Sequence, residues 1–236
     1  MEEIELRAIP NPIALETRAD GKQYFVGRAI AFNVWSQPLG GWFQERINRR
    51  ALDNCKMDDV VAKFNHDPNF TLARTPETLK LEIRDDGLWY EFPYDPADPD
   101  HQRVAAKIAR GDCRGSSFEF RIRKGGATWT MKEGDDGYEK RDVMDIEELF
   151  DVAPVINPAY LQTSAGLTKR SLDAIAAERD EFLSEQRQRA LADGHSSTEE
   201  TAHSEELTRD ETPTNETTDT DAITCEQDIM AMELDD

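Results

Sequence analysis

The chain has 236 residues and a formal net charge of −21, from 28 basic and 49 acidic residues. That balance excludes nucleic acid as a main partner, because phosphate binding needs clustered Lys and Arg. No apolar run approaches the ~18 residues of a membrane span. The start, MEEIELRAIP, has neither a basic n-region nor an apolar core, so neither a membrane nor secretion is expected.

The acidity is uneven. Up to Arg170 there are 24 basic and 29 acidic residues, whereas from Ser171 onward there are 4 and 20. Phe182 is the only aromatic residue after Tyr160. The C-terminal part therefore lacks the apolar surface that offsets ordering entropy. The expectation is a globular domain over 1–167, a helical segment over 168–191 and a disordered acidic tail over 192–236. Cys55, Cys113 and Cys225 share no metal-type spacing and are expected as reduced thiols.

In chain order, Glu3 to Ala8 reads as a short strand. Gln23 to Val34 is dense in β-formers, with Gly27 marking a bend or bulge. Gly40-Gly41 is a turn, and Glu45 to Asn54 is predicted as a short helix. Asp59 to His66 is an apolar strand that ends in the polar corner "NHDPN". Thr78 to Ile83 and Leu88 to Tyr94 flank "RDDG", an Asp-Gly hairpin signal. After "DPADPD", His101 to Ala109 fits an amphipathic helix. "GSSFEFR" alternates with period 2 and is predicted as a strand. Ala127 to Met131 pairs with Tyr138 to Asp145, and "ELFDVAPVINPAY" is a strand running into a proline-rich exit. Many antiparallel strands with two short helices predict an α+β domain on a closed or nearly closed β-barrel. The segment from Arg170 to Leu191 is helical in propensity with a thin apolar stripe, a pattern expected of a solvated or partner-seeking helix.

Chemistry is confined to few residues. His195 and His203 fall towards the C-terminus and His101 opens a helix, which leaves His66 as the core imidazole at a strand end. A neutral imidazole can accept a hydroxyl proton near neutral pH, although a histidine at such a corner can equally serve the turn. Ser116 and Ser117 head a strand anchored by Phe118 and Phe120, so either hydroxyl is fixed in place. A serine nucleophile needs that fixity and a base within reach. Glu147, Glu148 and Asp151 are candidates for a carboxylate that orients the imidazole. The core has too few histidines for a metal-dependent hydrolase, and no metal or organic cofactor is expected.

Three blocks, "KFNHDPN…LART…TLKLEIRDDGLWYEF", "IARGDCRGSSFEFR" and "LFDVAPVINPAYLQTSA", together resemble the prohead (capsid maturation) proteases of tailed bacteriophages. That family is related in fold to the herpesvirus capsid assembly protease, a β-barrel ringed by helices. The resemblance covers roughly Gly27 to Ala165. It implies a serine endopeptidase with Ser117 as nucleophile, His66 as base and Asp151 as third member. Ser116 and Glu148 are the alternates, and glutamate is commoner in relatives at the position of Asp151. Its implied substrates are the scaffold region of the major capsid protein, or a separate scaffold protein, and the chain itself by autocleavage. It further implies packaging in the immature capsid within the host bacterial cytoplasm, and allows a homo-oligomer. The competing expectation is a non-enzymatic capsid assembly or scaffolding factor in which the Ser/His pair is incidental.

Overall fold

A computed structural model of the protein describes residues 4–10, 13–131, 137–156, 167 and 169–196. The polar residues 132–136, the sequence after Ile156 up to 166, and the acidic segment with His203 and Cys225 lie outside the described residues. Among the described residues, no helix is long and apolar enough to cross a membrane.

Twelve strands and two helices are described. β1 (Glu5–Ile9), β5 (Val61–Lys63), β6 (Thr71–Arg74), β9 (Gly115–Ile122) and β12 (Ile146–Val155) form a sheet in the order β1-β9-β12-β5-β6. β2 (Ala14–Thr17), β3 (Gln23–Ala31), β7 (Lys80–Arg84) and β8 (Gly87–Pro93) form a second, ordered β2-β3-β8-β7. β4 (Phe43–Ile47), β10 (Ala127–Thr130) and β11 (Glu139–Val143) form a third, ordered β10-β11-β4. The α+β class is observed, but the expected closed barrel is not found. The ladders stop at three sheets, and the single bridge Phe32–Ile47 ties the end of β3 in the second to β4 in the third. The pairing is not uniformly antiparallel either, for β11 runs parallel to β4 and β12 parallel to β5.

The helix expected at Glu45 is a strand instead. "FQERI" alternates buried and half-buried positions, and its inward Glu45 is 0% exposed against arginine partners. That strand pairs with β11, and only a 3-10 turn at Arg49–Leu52 follows. The Asp-Gly hairpin is shifted as well, because Arg84 pairs with Gly87 and the turn residues are Asp85 and Asp86. Gly87 is required for a different reason: a Cβ there would lie 1.9 Å from the Ile30 carbonyl oxygen.

The main core gathers Phe25, Ile30, Leu88, Phe92, Phe118, Phe120, Leu149 and Val152 between the sheets. Helix α1 (Pro99–Ala109), capped by the Asp98 side chain on the Asp100 N–H, contributes Val104 to this core. Its His101 is buried and structural, donating to the Leu72 carbonyl and accepting from the Asp95 N–H.

Helix α2 (Lys169–Ser196) does not stand free. Its Ile175 and Leu172 pack with Leu39, Trp42, Phe43 and Trp129 in a second cluster. Burying a side chain such as Ile175 stabilises by roughly 1.5–3 kcal/mol. The stripe is thin because only the first half of the helix has a surface to cover; beyond Leu183 its described side chains are exposed. The contacts group Met1–Ala192 as one unit.

Candidate active site

Strand β9 has two chemically different faces. Period 2 sends Ser116, Phe118, Phe120 and Ile122 to the core, and Ser117, Glu119 and Arg121 to the other side. Both serines are buried, at 0% and 1% exposure, but they meet different partners. The Ser116 hydroxyl bonds the Tyr90 hydroxyl at 2.9 Å. Burial pushes the Tyr90 phenol well above its ordinary range, although the Ser116 bond pulls it back, so the phenol stays neutral. Tyr90 fits there because Gly27 has no side chain; a Cβ at Gly27 would lie 2.5 Å from the Tyr90 ring. The Ser116 side is thus a packing contact with no base in it.

Ser117 faces His66, with Nε2 to Oγ at 2.6 Å. The imidazole is delivered by the corner after β5, where Asn65 and His66 have φ of 52° and 59°. Left-handed backbone at two successive non-glycine residues costs roughly 1–3 kcal/mol each. The corner is held by the end of β12: the Asn65 N–H donates to the Pro154 carbonyl, and the Asn65 side-chain oxygen accepts from the Ile156 N–H. On the other side of the ring, His66 Nδ1 lies 2.8 Å from Asp151 Oδ1. Asp151 sits on β12 opposite Glu119 of β9 and Val61 of β5. Three neighbouring strands and one strained corner therefore place a carboxylate, an imidazole and a hydroxyl in line.

The hydroxyl has a second partner, because Ser117 Oγ donates to the Arg7 carbonyl of β1 at 2.7 Å. A serine hydroxyl carries one hydrogen. Turning that hydrogen from the Arg7 oxygen to His66 Nε2 needs rotation about Cβ–Oγ and no heavy-atom movement.

Of the alternates, Ser116 faces the core and Glu148 pairs with Arg121 at 2.9 Å. Neither meets His66. Two residues absent from the sequence reading join the site. Lys63 Nζ forms an ion pair with Asp151 Oδ2 at 2.9 Å, and Glu119 lies 3.9 Å from both Lys63 Nζ and His66 Nδ1. Glu119 was legible in principle, since it stands two residues after Ser117 on the same face of a strand.

The carboxylates are driven apart electrostatically. Burial raises Asp151, but the His66 hydrogen bond and charge, then Glu119 and Lys63, outweigh it and hold it below its ordinary value. Burial and the neighbouring Asp151 charge push Glu119 up to about 7, against the opposing pull of His66 and Lys63. One atom each of His66, Glu119 and Asp151 lie within 4.8 Å of one another, close enough for a divalent cation. The Lys63 ammonium already supplies a cation to Asp151 there.

A buried carboxylate on Nδ1 and a hydroxyl on Nε2 suit acyl transfer at the hydroxyl. Residues 12–178 match the profile of the caudovirus prohead serine protease family, and the chain belongs to that family. It is a serine-type peptide hydrolase of bacteriophage capsid maturation. Among solved structures it resembles the bacteriophage T4 capsid assembly protease, gp21, at 13% identity and a TM-score of 0.44, covering 66% of this chain and 98% of that one. No curated protein sequence matches. Family membership sets aside the non-enzymatic assembly factor.

Proposed function

We propose that Ser117 is the nucleophile, His66 the general base and acid, and Asp151 the carboxylate that orients the imidazole. The observation that carries this reading is the pair of contacts on one ring, 2.6 Å to Ser117 Oγ and 2.8 Å to Asp151 Oδ1. His66 Nε2 takes the Ser117 proton as Oγ bonds to the scissile carbonyl carbon. The same proton passes to the leaving amine as the C–N bond breaks. Water then attacks the acyl-enzyme, His66 takes its proton and returns it to Ser117 Oγ as the acid product leaves. Asp151 stabilises the imidazolium that forms in both halves, and no cofactor takes part in this scheme.

The substrates proposed are the scaffold region of the major capsid protein, or a separate scaffold protein, and the chain itself. Cleavage takes place inside the immature prohead assembled in the host cytoplasm, where confinement raises effective concentration without tight binding. The segment after Arg170 supplies docking and self-cleavage sequence.

Coexpression with the cognate capsid protein tests this reading. Intact masses are expected to show a processed capsid protein and a shortened protease with the natural chain, and neither with Ser117→Ala. Equal processing by the Ser117→Ala chain would overturn it.

A further inference from the structure

Asp151 has two oxygens, and only Oδ1 is used by His66. Oδ2 is buried with the whole side chain at 0% exposure, and it meets the ammonium of Lys63 at 2.9 Å. A second carboxylate competes for the same ring, since Glu119 Oε1 is 3.9 Å from His66 Nδ1 and stands opposite Asp151 in the β9–β12 ladder. Two carboxylates this close do not both ionise freely, and either can take the Nδ1 proton. We propose that Lys63 is a positioning residue of this site, whose ammonium, nearer to Asp151 than to Glu119, pins the Asp151 carboxylate to His66 against the competing Glu119 carboxyl. The proposal rests on the assignment of Ser117, His66 and Asp151 above.

The asymmetry of the ammonium supports it. Lys63 Nζ is 2.9 Å from Asp151 but 3.9 Å from Glu119, so its charge favours ionisation at Asp151 more strongly than at Glu119. The opposite directions in which the two carboxyls are driven agree with that division. The placement is built into the fold. β5 runs parallel to β12 with Val61 opposite Asp151, so Lys63 lies on the strand next to the carboxylate and His66 follows three residues later. Among the described residues, the charged and titratable groups around His66 are Lys63 from β5, Ser117 and Glu119 from β9, and Asp151 from β12. β1 offers only the Arg7 carbonyl, and Asp67 is turned to the Asn69 N–H.

The test combines Lys63→Met, Lys63→Arg, Glu119→Gln and the Lys63→Met/Glu119→Gln double variant. Two readouts are taken from pH 5 to 9 in purified full-length protein. One is the rate of Ser117 phosphonylation by a fluorophosphonate probe. The other is the NMR titration of the His66 ring, assigned by its loss in His66→Gln. Lys63→Met is expected to slow labelling about tenfold, the weight of one pKa unit of charge interaction. It also moves the acid limb to higher pH, because a cation that opposes imidazolium is gone. Lys63→Arg should recover most of the rate. Glu119→Gln should move the limb the other way, and the double variant should be faster than Lys63→Met alone, because the competing carboxylate is gone. A structural role would give additive losses and an unmoved limb. The proposal is overturned if Lys63→Met matches the natural chain in rate and limb, or if the double variant is as slow as Lys63→Met. If the natural chain itself fails to react, the Ser117 assignment falls, and the His66 titrations still decide Lys63: midpoints shifted in opposite directions by Lys63→Met and Glu119→Gln support its grip, and unmoved midpoints overturn it.

Discussion

Two clusters of buried charge lie on either side of the β1–β9 pair, and they behave differently. Away from His66, Arg7 and Arg141 interlock with Glu5, Glu45 and Glu178 through contacts of 2.5–3.0 Å. Burial raises Glu5, but Arg141 and Arg7 outweigh it and hold it at about 2. The guanidiniums keep their charge at any ordinary pH, so this cluster is locked. Around His66, two carboxylates share one ammonium and one imidazole, and a carboxyl is left near 7. Burying charge does not by itself make a site. What separates the two is whether a buried group of the cluster can gain and lose a proton in the working range, as Glu119 does near 7.

The largest effect that sharpens this contrast is Ser117→Ala, which should cut turnover on the order of 10⁴-fold or more with an unchanged melting temperature. Asp151→Asn follows, with a loss on the order of 10³–10⁴-fold in kcat. In the locked cluster the cost should appear as stability instead. Arg141→Met leaves Glu5 and Glu45 under-compensated and is expected to cost about 3–5 kcal/mol in chemical denaturation. Equal loss of turnover without loss of stability would break the distinction. Ser116→Ala should lose roughly 1–3 kcal/mol, because it strands the Tyr90 hydroxyl, and should keep catalysis.

The smallest expected effect is a slope. Glu119 has a folded-state pKa of about 7 against an ordinary 4.5, so in that window the native state binds more protons than the unfolded one. Its contribution to stability is present in full below pH 4.5 and is lost as pH rises to about 7. Glu119→Gln should flatten that part of the stability–pH curve, as read by urea midpoints at half-unit steps. An unchanged slope would show that Glu119 holds no extra proton in the fold.

Much of the site could be read from pattern, because strands declare their faces. The alternation in "GSSFEFR" marked the strand that carries both serines, and a strand end before a polar corner left His66 as the core imidazole. What pattern could not supply was depth in the third dimension. Lys63 became a partner of Asp151 only through the parallel β5–β12 pairing, between residues 88 apart in sequence. The same limit explains the missed strand at Glu45. A charged residue inside "FQERI" looks solvent-facing and helical until Arg7 and Arg141 arrive from distant strands to pair with it. The α2 stripe looked too thin to pack for a similar reason: Trp42 and Trp129, stacked with ring centroids 5.6 Å apart, supply the surface it covers. Closure of the sheet into a barrel was inferred from strand number, and the ladders, which form three sheets, do not show it.

The central claim is that this chain's chemistry starts at one hydroxyl of an adjacent pair. Peptide mapping of the full-length protein after reaction with a fluorophosphonate tests it most directly. The account predicts one adduct, on Ser117, lost in Ser117→Ala and His66→Gln and retained in Ser116→Ala. An adduct on Ser116, or labelling that persists without His66, would contradict it.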